Sequence, residues 1–377
     1  MRILYISKHN PYSVSGGSTA SRHFLEAFET VFKDARFDIL LAEEAKSSVP
    51  QELKDTHNIV FVSNRNVYQR IFSFLTLKIH RYHKAAIELL KKNNYDLCIF
   101  DHSSIGGSLC SISSSMGVKS VVIHHNVERI FFKDNNSFLR RCLFGFAVYY
   151  NERKAYMVCD YNIFLTKEDM ESFHKYYGKT RKRETALYIF QGRNDNKALP
   201  TNMKVGGKLT LIITGSLCNP QNIDGIVYFF DKIYPMLPDD VEIKVAGRNP
   251  TAYIKTIIKD LKNVQLIENP EKIDPIIVSG DIFVCPARLG SGIKVRITDG
   301  LRNGLPVLAH NISSQGYKAF IDKGYFIAFS NEDEFIRGLE IIKDKLNSEF
   351  KKEIRDFYKM ETDFNKSVSL LSCFLCY

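Results

Sequence analysis

Short apolar runs separated by amphipathic helical stretches occur in two successive series along this chain, with a polar segment between them. The first series has runs at Arg2–Ser7, Phe37–Leu41, Asn58–Val62, Asp96–Phe100, Lys119–His124, Tyr161–Leu165 and Ala186–Phe190. Helical patterns lie among them at Thr19–Phe32, Val67–Lys92, Phe138–Val158 and Lys167–Tyr177. Continuous apolar runs are buried on both faces, and strands alternating with helices meet that need as a parallel sheet covered on both sides. The pattern stops at Gln191–Lys208, which is polar and rich in Gly, Asn and Lys and reads as a linker. It resumes with strands at Leu209–Thr214, Glu242–Ala246, Val264–Ile267, Asp281–Cys285, Pro306–Ala309 and Tyr325–Phe329. Helices are expected at Gln221–Leu237, Thr251–Leu261, Lys272–Ser279, Ile293–Asn303 and from Glu332 to about Tyr358. The predicted fold class is α/β, with two doubly wound Rossmann-like domains facing across a cleft. An N-terminal domain covers 1–195 and a C-terminal domain 196–355, while a segment over 356–377, apolar from Ser367, is expected to pack back on the first.

Composition narrows the partners. No run approaches the roughly 18 apolar residues of a membrane-spanning helix, and the four apolar residues Ile3–Ile6 are too few for a signal peptide. Six of the eight cysteines are isolated, and several sit among apolar neighbours, as reduced core thiols do. Cys373 and Cys376 form one C-x-x-C with no second pair, short of the four ligands of a structural zinc site. A cytoplasmic protein is expected. The net charge of +10 would attract nucleic acid, an anionic membrane or a phosphorylated substrate. Zinc-finger spacing and RNP-like aromatics are absent from the sequence, so no nucleic-acid partner is expected.

Ligands of doubly wound sheets bind at the carboxyl ends of strands, and two loops there carry glycine. The first, Asn10–Thr19, contains Gly16 and Gly17 before a helix, where backbone can approach an anion closely. A plain tight turn gives the same pattern, and G-x-G-x-x-G is not matched, which argues against a dinucleotide site. The second, Pro286–Arg296, places Gly290, Ser291 and Gly292 before Lys294 and Arg296. Backbone N–H groups and two basic side chains at a helix start suit a diphosphate. An ordinary cap with surface cations is the alternative. Arg248 follows the strand Glu242–Ala246 and is a further phosphate candidate or a turn cap. His125, just beyond Lys119–His124, is placed to line a site, with His124 competing for that position and His9 a second candidate.

The run CPARLGSGIKVRITDGLRNGLPVLA resembles the signature of family 4 glycosyltransferases (glycosyl transferases group 1), and ITGSLCNPQNIDGIVYFFDKIYPMLP, VAGRNP and HHNVE resemble further segments in the same order. ERKAYMVCDYNIFLTKEDMESF resembles the family's helix–strand–helix at the end of the N-terminal domain. The resemblance implies the GT-B fold and retaining transfer from a nucleotide-sugar donor held by the C-terminal domain, with the acceptor on the N-terminal domain. No metal or other cofactor is implied, because basic groups and helix N-termini stabilise the departing diphosphate. Gly290, Gly292 and Lys294 match the diphosphate loop, Arg296 a basic position beyond it, Asp299 the acid that binds ribose, and Gly16 and Gly17 the Gly-Gly loop. His125 matches a histidine that contacts donor sugar or leaving phosphate. The family's acid is normally Glu where this chain has Asp299, and its upstream acid is replaced by Arg288-Leu289. These departures keep open a catalytically degenerate binding protein, as the shared scaffold keeps open a nucleotide-sugar epimerase or a phosphorylase.

The acceptor is expected to be a glycan or a lipid-linked molecule. Tyr68, Ile71, Phe72, Leu75, Ile79 and Tyr82 recur at helical spacing among Arg70, Lys78, Arg81 and Lys84. Phe131-Phe132-Lys133 and Phe138-Leu139-Arg140-Arg141 repeat the pairing. Such helices suit peripheral contact with the inner face of an anionic membrane, or equally a core with a solvated face.

Overall fold

The computed structural model describes residues 1–13, 15–78, 80–193 and 207–376. The chain divides into two units, Met1–Asp195 with Phe364–Tyr377, and Asn196–Asp363. The returning segment therefore begins at Phe364 rather than 356, because helix Ser348–Glu361 stays with the second unit. Of the expected linker, residues 194–206 lie outside the described residues.

The first unit holds a seven-stranded sheet: β1 (Arg2–Ser7), β2 (Arg36–Ala42), β3 (Asn58–Val62), β4 (Leu97–Asp101), β5 (Lys119–His124), β6 (Tyr161–Phe164) and β7 (Arg183–Ala186). Its order is β3-β2-β1-β4-β5-β6-β7, and the neighbouring strands are parallel. The second holds β8 (Thr210–Ser216), β9 (Glu242–Arg248), β10 (Val264–Glu268), β11 (Ile282–Cys285), β12 (Val307–His310) and β13 (Phe326–Phe329), ordered β10-β9-β8-β11-β12-β13 and likewise parallel. Ile3 to Ile6 of β1 and Ile282 to Cys285 of β11 are buried throughout, as two-sided covering by helices requires. In each sheet the order reverses beside its first strand, between β1 and β4 and between β8 and β11. Chain leaves the two strands toward opposite faces there, which opens a crevice at their carboxyl ends.

Several expected elements differ, among them Glu332 to about Tyr358, which is two helices, Glu332–Lys345 and Ser348–Glu361. The apolar run Ala186–Phe190 is not the seventh strand. Pairing with β6 ends at Phe164 and Ala186, and the residues beyond turn to the first helix, where His23 Nδ1 donates to the Ile189 carbonyl at 2.9 Å. Val67–Lys92 is two helices, Val67–Leu75 and His83–Lys92, separated around Leu77, whose φ is +56°. The break lets Tyr82, Ala86 and Leu90 enter the core while Tyr68 and Phe72 stay outside it; Ile79 lies outside the described residues. Gln221–Leu237 is an α-helix only over Pro220–Tyr228, then a π turn and a 3₁₀ turn through Pro235, which has no N–H to continue the helix. Ile293–Asn303 is helical only over Arg296–Arg302. No described helix is long and apolar enough to cross a membrane.

Candidate functional site

In the first unit, β1 and β4 run in parallel with Ser7 opposite Asp101. Asp101 is fully buried and uses both oxygens: Ser7 Oγ donates to Oδ2 at 2.7 Å, and His125 Nε2 donates to Oδ1 at 2.5 Å. Burial alone would raise this carboxyl, but His125 and the hydrogen bonds outweigh it and hold Asp101 below the usual carboxylate range. Alternation along β5 separates the two competing histidines. His124 stacks on Phe164 with ring centres 4.6 Å apart and donates to Asn162 Oδ1 at 2.7 Å, so it belongs to the core. His125 belongs to the site.

The next residue of the chain, His102, has φ +137° and caps helix Ser103–Ser115. Such backbone costs of order 1–3 kcal/mol, and it collects at functional positions. Its Nδ1 accepts from the Ser104 N–H at 3.3 Å, and its Nε2 lies 3.0 Å from Glu128 Oε1 and 3.1 Å from Lys8 Nζ. Burial lowers His102 to about 4, although Glu128 pulls the other way. Lys8 Nζ lies 3.6 Å from the other Glu128 oxygen. His9 completes the group, its ring centre 5.7 Å from those of both His102 and His125, which are 5.5 Å apart. Burial first, then the charges of these neighbours, keep His9 neutral. A Cβ on Gly17 would stand 3.0 Å from the His9 ring, so glycine lets helix Gly16–Val31 begin against it. Gly16 opens that helix behind Ser15, whose side chain accepts from the Ser18 N–H. Asp101, His102 and Glu128 are the residues that sequence reasoning missed. The signal was there in polar residues closing an apolar strand, Cys98-Ile99-Phe100-Asp101-His102, one residue past the predicted end.

In the second unit, Gly290 and Gly292 have φ +91° and +75°. These conformations cannot belong to a helix, which is why the helix starts only at Arg296 and why Lys294 lies in the loop before it. Lys294 is 8% exposed, and its Nζ donates to the Ser291 carbonyl at 3.3 Å. Tyr317 holds the Lys294 carbonyl at 3.0 Å. Arg296 crosses to β8 and donates to the Thr214 carbonyl at 3.2 Å, and its guanidinium fills the place of a Cβ on Gly215. Gly290 in turn leaves room for the Gln221 side chain, whose Nε2 is buried without a hydrogen-bond partner. Gly225 lets helix Pro220–Tyr228 meet the Pro286–Ala287 backbone, where a Cβ would come within 2.8 Å. Gly290, Ser291, Gly292, Lys294 and Arg296 thus gather at the crevice between β8 and β11, with Gly215 and Gln221 added.

Arg248 and Asp299 stand apart from that group. Arg248 is exposed at the end of β9, beside Ser216 in register. Asp299 lies 3.4 Å from Arg302, which also donates to Asp274 at 2.6 Å. Burial pushes the Asp299 carboxyl up to about 6, with Arg302 opposing and Asp274 adding to the shift. Arg288, where the family's upstream acid is missing, grips Asp224 with two hydrogen bonds of 2.8 and 3.1 Å and covers the Tyr228 ring. Among the described residues no group of three or more His, Cys, Asp or Glu is arranged to hold a metal ion.

Residues 208–343 match the family model described as Glycosyl transferases group 1. A protein of Klebsiella pneumoniae described as an uncharacterized 44.6 kDa protein in the cps region is 23% identical, over 94% of this chain and 93% of its own length. WaaG, a glycosyltransferase involved in lipopolysaccharide biosynthesis, superposes with a TM-score of 0.66 at 15% identity, over 99% of this chain and 98% of its own. Anabaena HepE in complex with UDP-glucose superposes with a TM-score of 0.64 at 13% identity, over 100% and 99%. At such identities the superpositions speak for the fold. The match to the glycosyl transferases group 1 model is thus confined to the second unit, and the chain has the two-domain α/β GT-B fold.

Proposed function

We propose that this chain is a retaining glycosyltransferase that moves a hexose or related sugar from a nucleotide-sugar to a glycan or lipid-linked acceptor, in cell-surface polysaccharide or glycoconjugate assembly. The observation that carries the reading is the gathering of Gly290, Gly292, Lys294 and Arg296 at the carboxyl end of β11. Positive-φ glycines turn backbone N–H groups toward an anion, and two cations beside them offset charge that grows on a leaving diphosphate. In this reading that work falls to the chain's own groups, and Asp299 and Arg248 serve the nucleotide. On the first unit, Asp101 engages His125 Nε2, so Nδ1 is the ring nitrogen available to a sugar hydroxyl. The complex of HepE with UDP-glucose supports a nucleotide-sugar donor, and the cps region of the Klebsiella relative supports a polysaccharide product. The protein would work in the cytoplasm, peripheral to the inner face of the membrane.

The test is a thermal-shift panel of nucleoside diphosphates and nucleotide-sugars, with and without chelator, followed by an assay for released nucleoside diphosphate. A ligand at about 100 times its Kd should add roughly 2.7 kcal/mol of stability. No shift with any nucleotide would remove the donor reading. The Arg288–Asp224 pair at the missing acid favours a second reading, a binding protein without turnover. Binding with no release of diphosphate in any combination would select it.

A further inference from the structure

Two helices of the first unit turn apolar side chains to solvent. On Val67–Leu75, Tyr68, Phe72 and Leu75 are 66–83% exposed; on the first turns of Phe138–Val158, Phe138, Leu139 and Phe146 are 67–79% exposed. The Phe74 and Phe144 rings meet edge-on at 4.9 Å and join the two helices into one surface. At about 100° per residue, Phe138, Leu139 and Phe146 fall in one sector with Leu143, about 140° wide, and Arg140 and Arg141 fall outside it. Arg70 adds a cation on the other helix, and no Asp or Glu occurs in 56–87 or 135–151. An apolar surface of this extent is unusual on a protein that stays in water. A wide apolar sector flanked by arginines, with no Asp or Glu in either of these two stretches of sequence, complements an anionic bilayer, where the apolar chains enter the headgroup boundary and the arginines reach lipid phosphates.

We propose that this two-helix surface seats the protein on an anionic lipid bilayer, with the Phe138–Phe146 turns inserted at headgroup depth. The glycosyltransferase reading enters only in the consequence, that the acceptor is lipid-anchored and is met at the bilayer surface. Binding to lipid does not depend on transfer.

The chain contains no tryptophan, so Leu139→Trp or Phe72→Trp supplies a single emitter. Tyr253→Trp, exposed on the second unit, is the control. The full chain is mixed at low salt with phosphatidylcholine vesicles that do or do not contain phosphatidylglycerol. It should sediment with the anionic vesicles and be released by salt. Brominated lipid should quench the tryptophan at 139 and at 72 and spare that at 253. Replacing Arg140 and Arg141 together by Gln should weaken binding about 25-fold, at roughly fivefold for each charge, without changing the melting temperature. Failure to bind anionic vesicles at low salt overturns the proposal, as does binding with an unquenched tryptophan at 139. A lipid-free dimer that Leu139→Asp converts to monomer also overturns it, because the surface then belongs to a second copy. Nucleotide binding is measured on the same samples, so failure of the donor reading is seen separately.

Discussion

Asp101, a carboxylate without solvent contact, holds Ser7 by one oxygen and His125 by the other, and so fixes which nitrogen of His125 is left for a ligand. Under the proposed function, His125→Ala should lower turnover while leaving unchanged the affinity for a nucleoside diphosphate, which that reading assigns to the other unit. Kinetics and calorimetry on the same preparation separate the two, and a collapsed melting temperature would make the ring structural. Lys294→Ala should weaken donor binding roughly 10- to 150-fold, the equivalent of a charge-assisted hydrogen bond worth about 1.5–3 kcal/mol. Unchanged affinity by calorimetry would take Lys294 out of the donor site. These two residues were legible in the sequence as polar groups after apolar runs. Which of His124 and His125 faced the site was not, because a one-residue shift of register exchanges the two sides of a strand. His102 and Glu128 stood in view as a polar strand end and as the last residue of HHNVE, but their partnership was hidden, because it depends on a backbone angle and on β4 and β5 lying side by side.

Element limits were legible in places: Phe138–Val158 and Lys167–Tyr177 have the bounds expected of them, although only the second has a strong amphipathic period. Boundaries failed where tertiary demands overrode period. The helix after β11 is shortened by the left-handed glycines, so Lys294 and Asp299 do not lie on one helix. Gly290→Ala should both strain φ and push on Gln221, lowering the melting temperature and donor affinity together; a variant that binds normally would show that the loop relaxes. At the opposite end of the same sheet, helix Ser348–Glu361 is pinned by Lys351, whose Nζ donates to Asp281 at 2.9 Å and to the Gly280 carbonyl at 3.1 Å. Lys351 is 3% exposed, so Lys351→Met strands a buried carboxylate and should cost about 3–5 kcal/mol in denaturant unfolding. Adding Asp281→Asn should recover part of that loss. An additive double variant would mean that the two side chains do not act as a pair.

At the scale of the whole molecule, the doubled alternation of strand and helix was enough to read two parallel sheets, since few other arrangements bury so many uninterrupted apolar runs. Acid should loosen the first unit through its buried histidines, with Glu152, pushed up to about 8 by burial, opposing them. Burial holds His102 at about 4 and His124 at about 3 in the first unit, against roughly 6.5 in an unfolded chain. The unfolded form takes these protons first, so the stability they confer is complete above pH 6.5 and is lost as pH falls toward 4, by about 3 kcal/mol for His102 alone. In the second unit Asp299 is raised to about 6, so its contribution is complete below its ordinary value and is lost as pH rises through 6. Hydrogen exchange at pH 5 and pH 7 should show the first unit loosening on acidification and the second not; equal loosening of both would refute the assignment. Helix Phe364–Cys376 packs against helix Gly16–Val31, and its Phe374 meets Tyr161 and Arg183 beside β6 and β7. A ribosome therefore delivers every residue of the second unit before it delivers the piece that closes the first. The nascent chain carries the glycine-loop half finished and the histidine half still open, and translation into helix Phe364–Cys376 is what allows helix Gly16–Val31 to be covered.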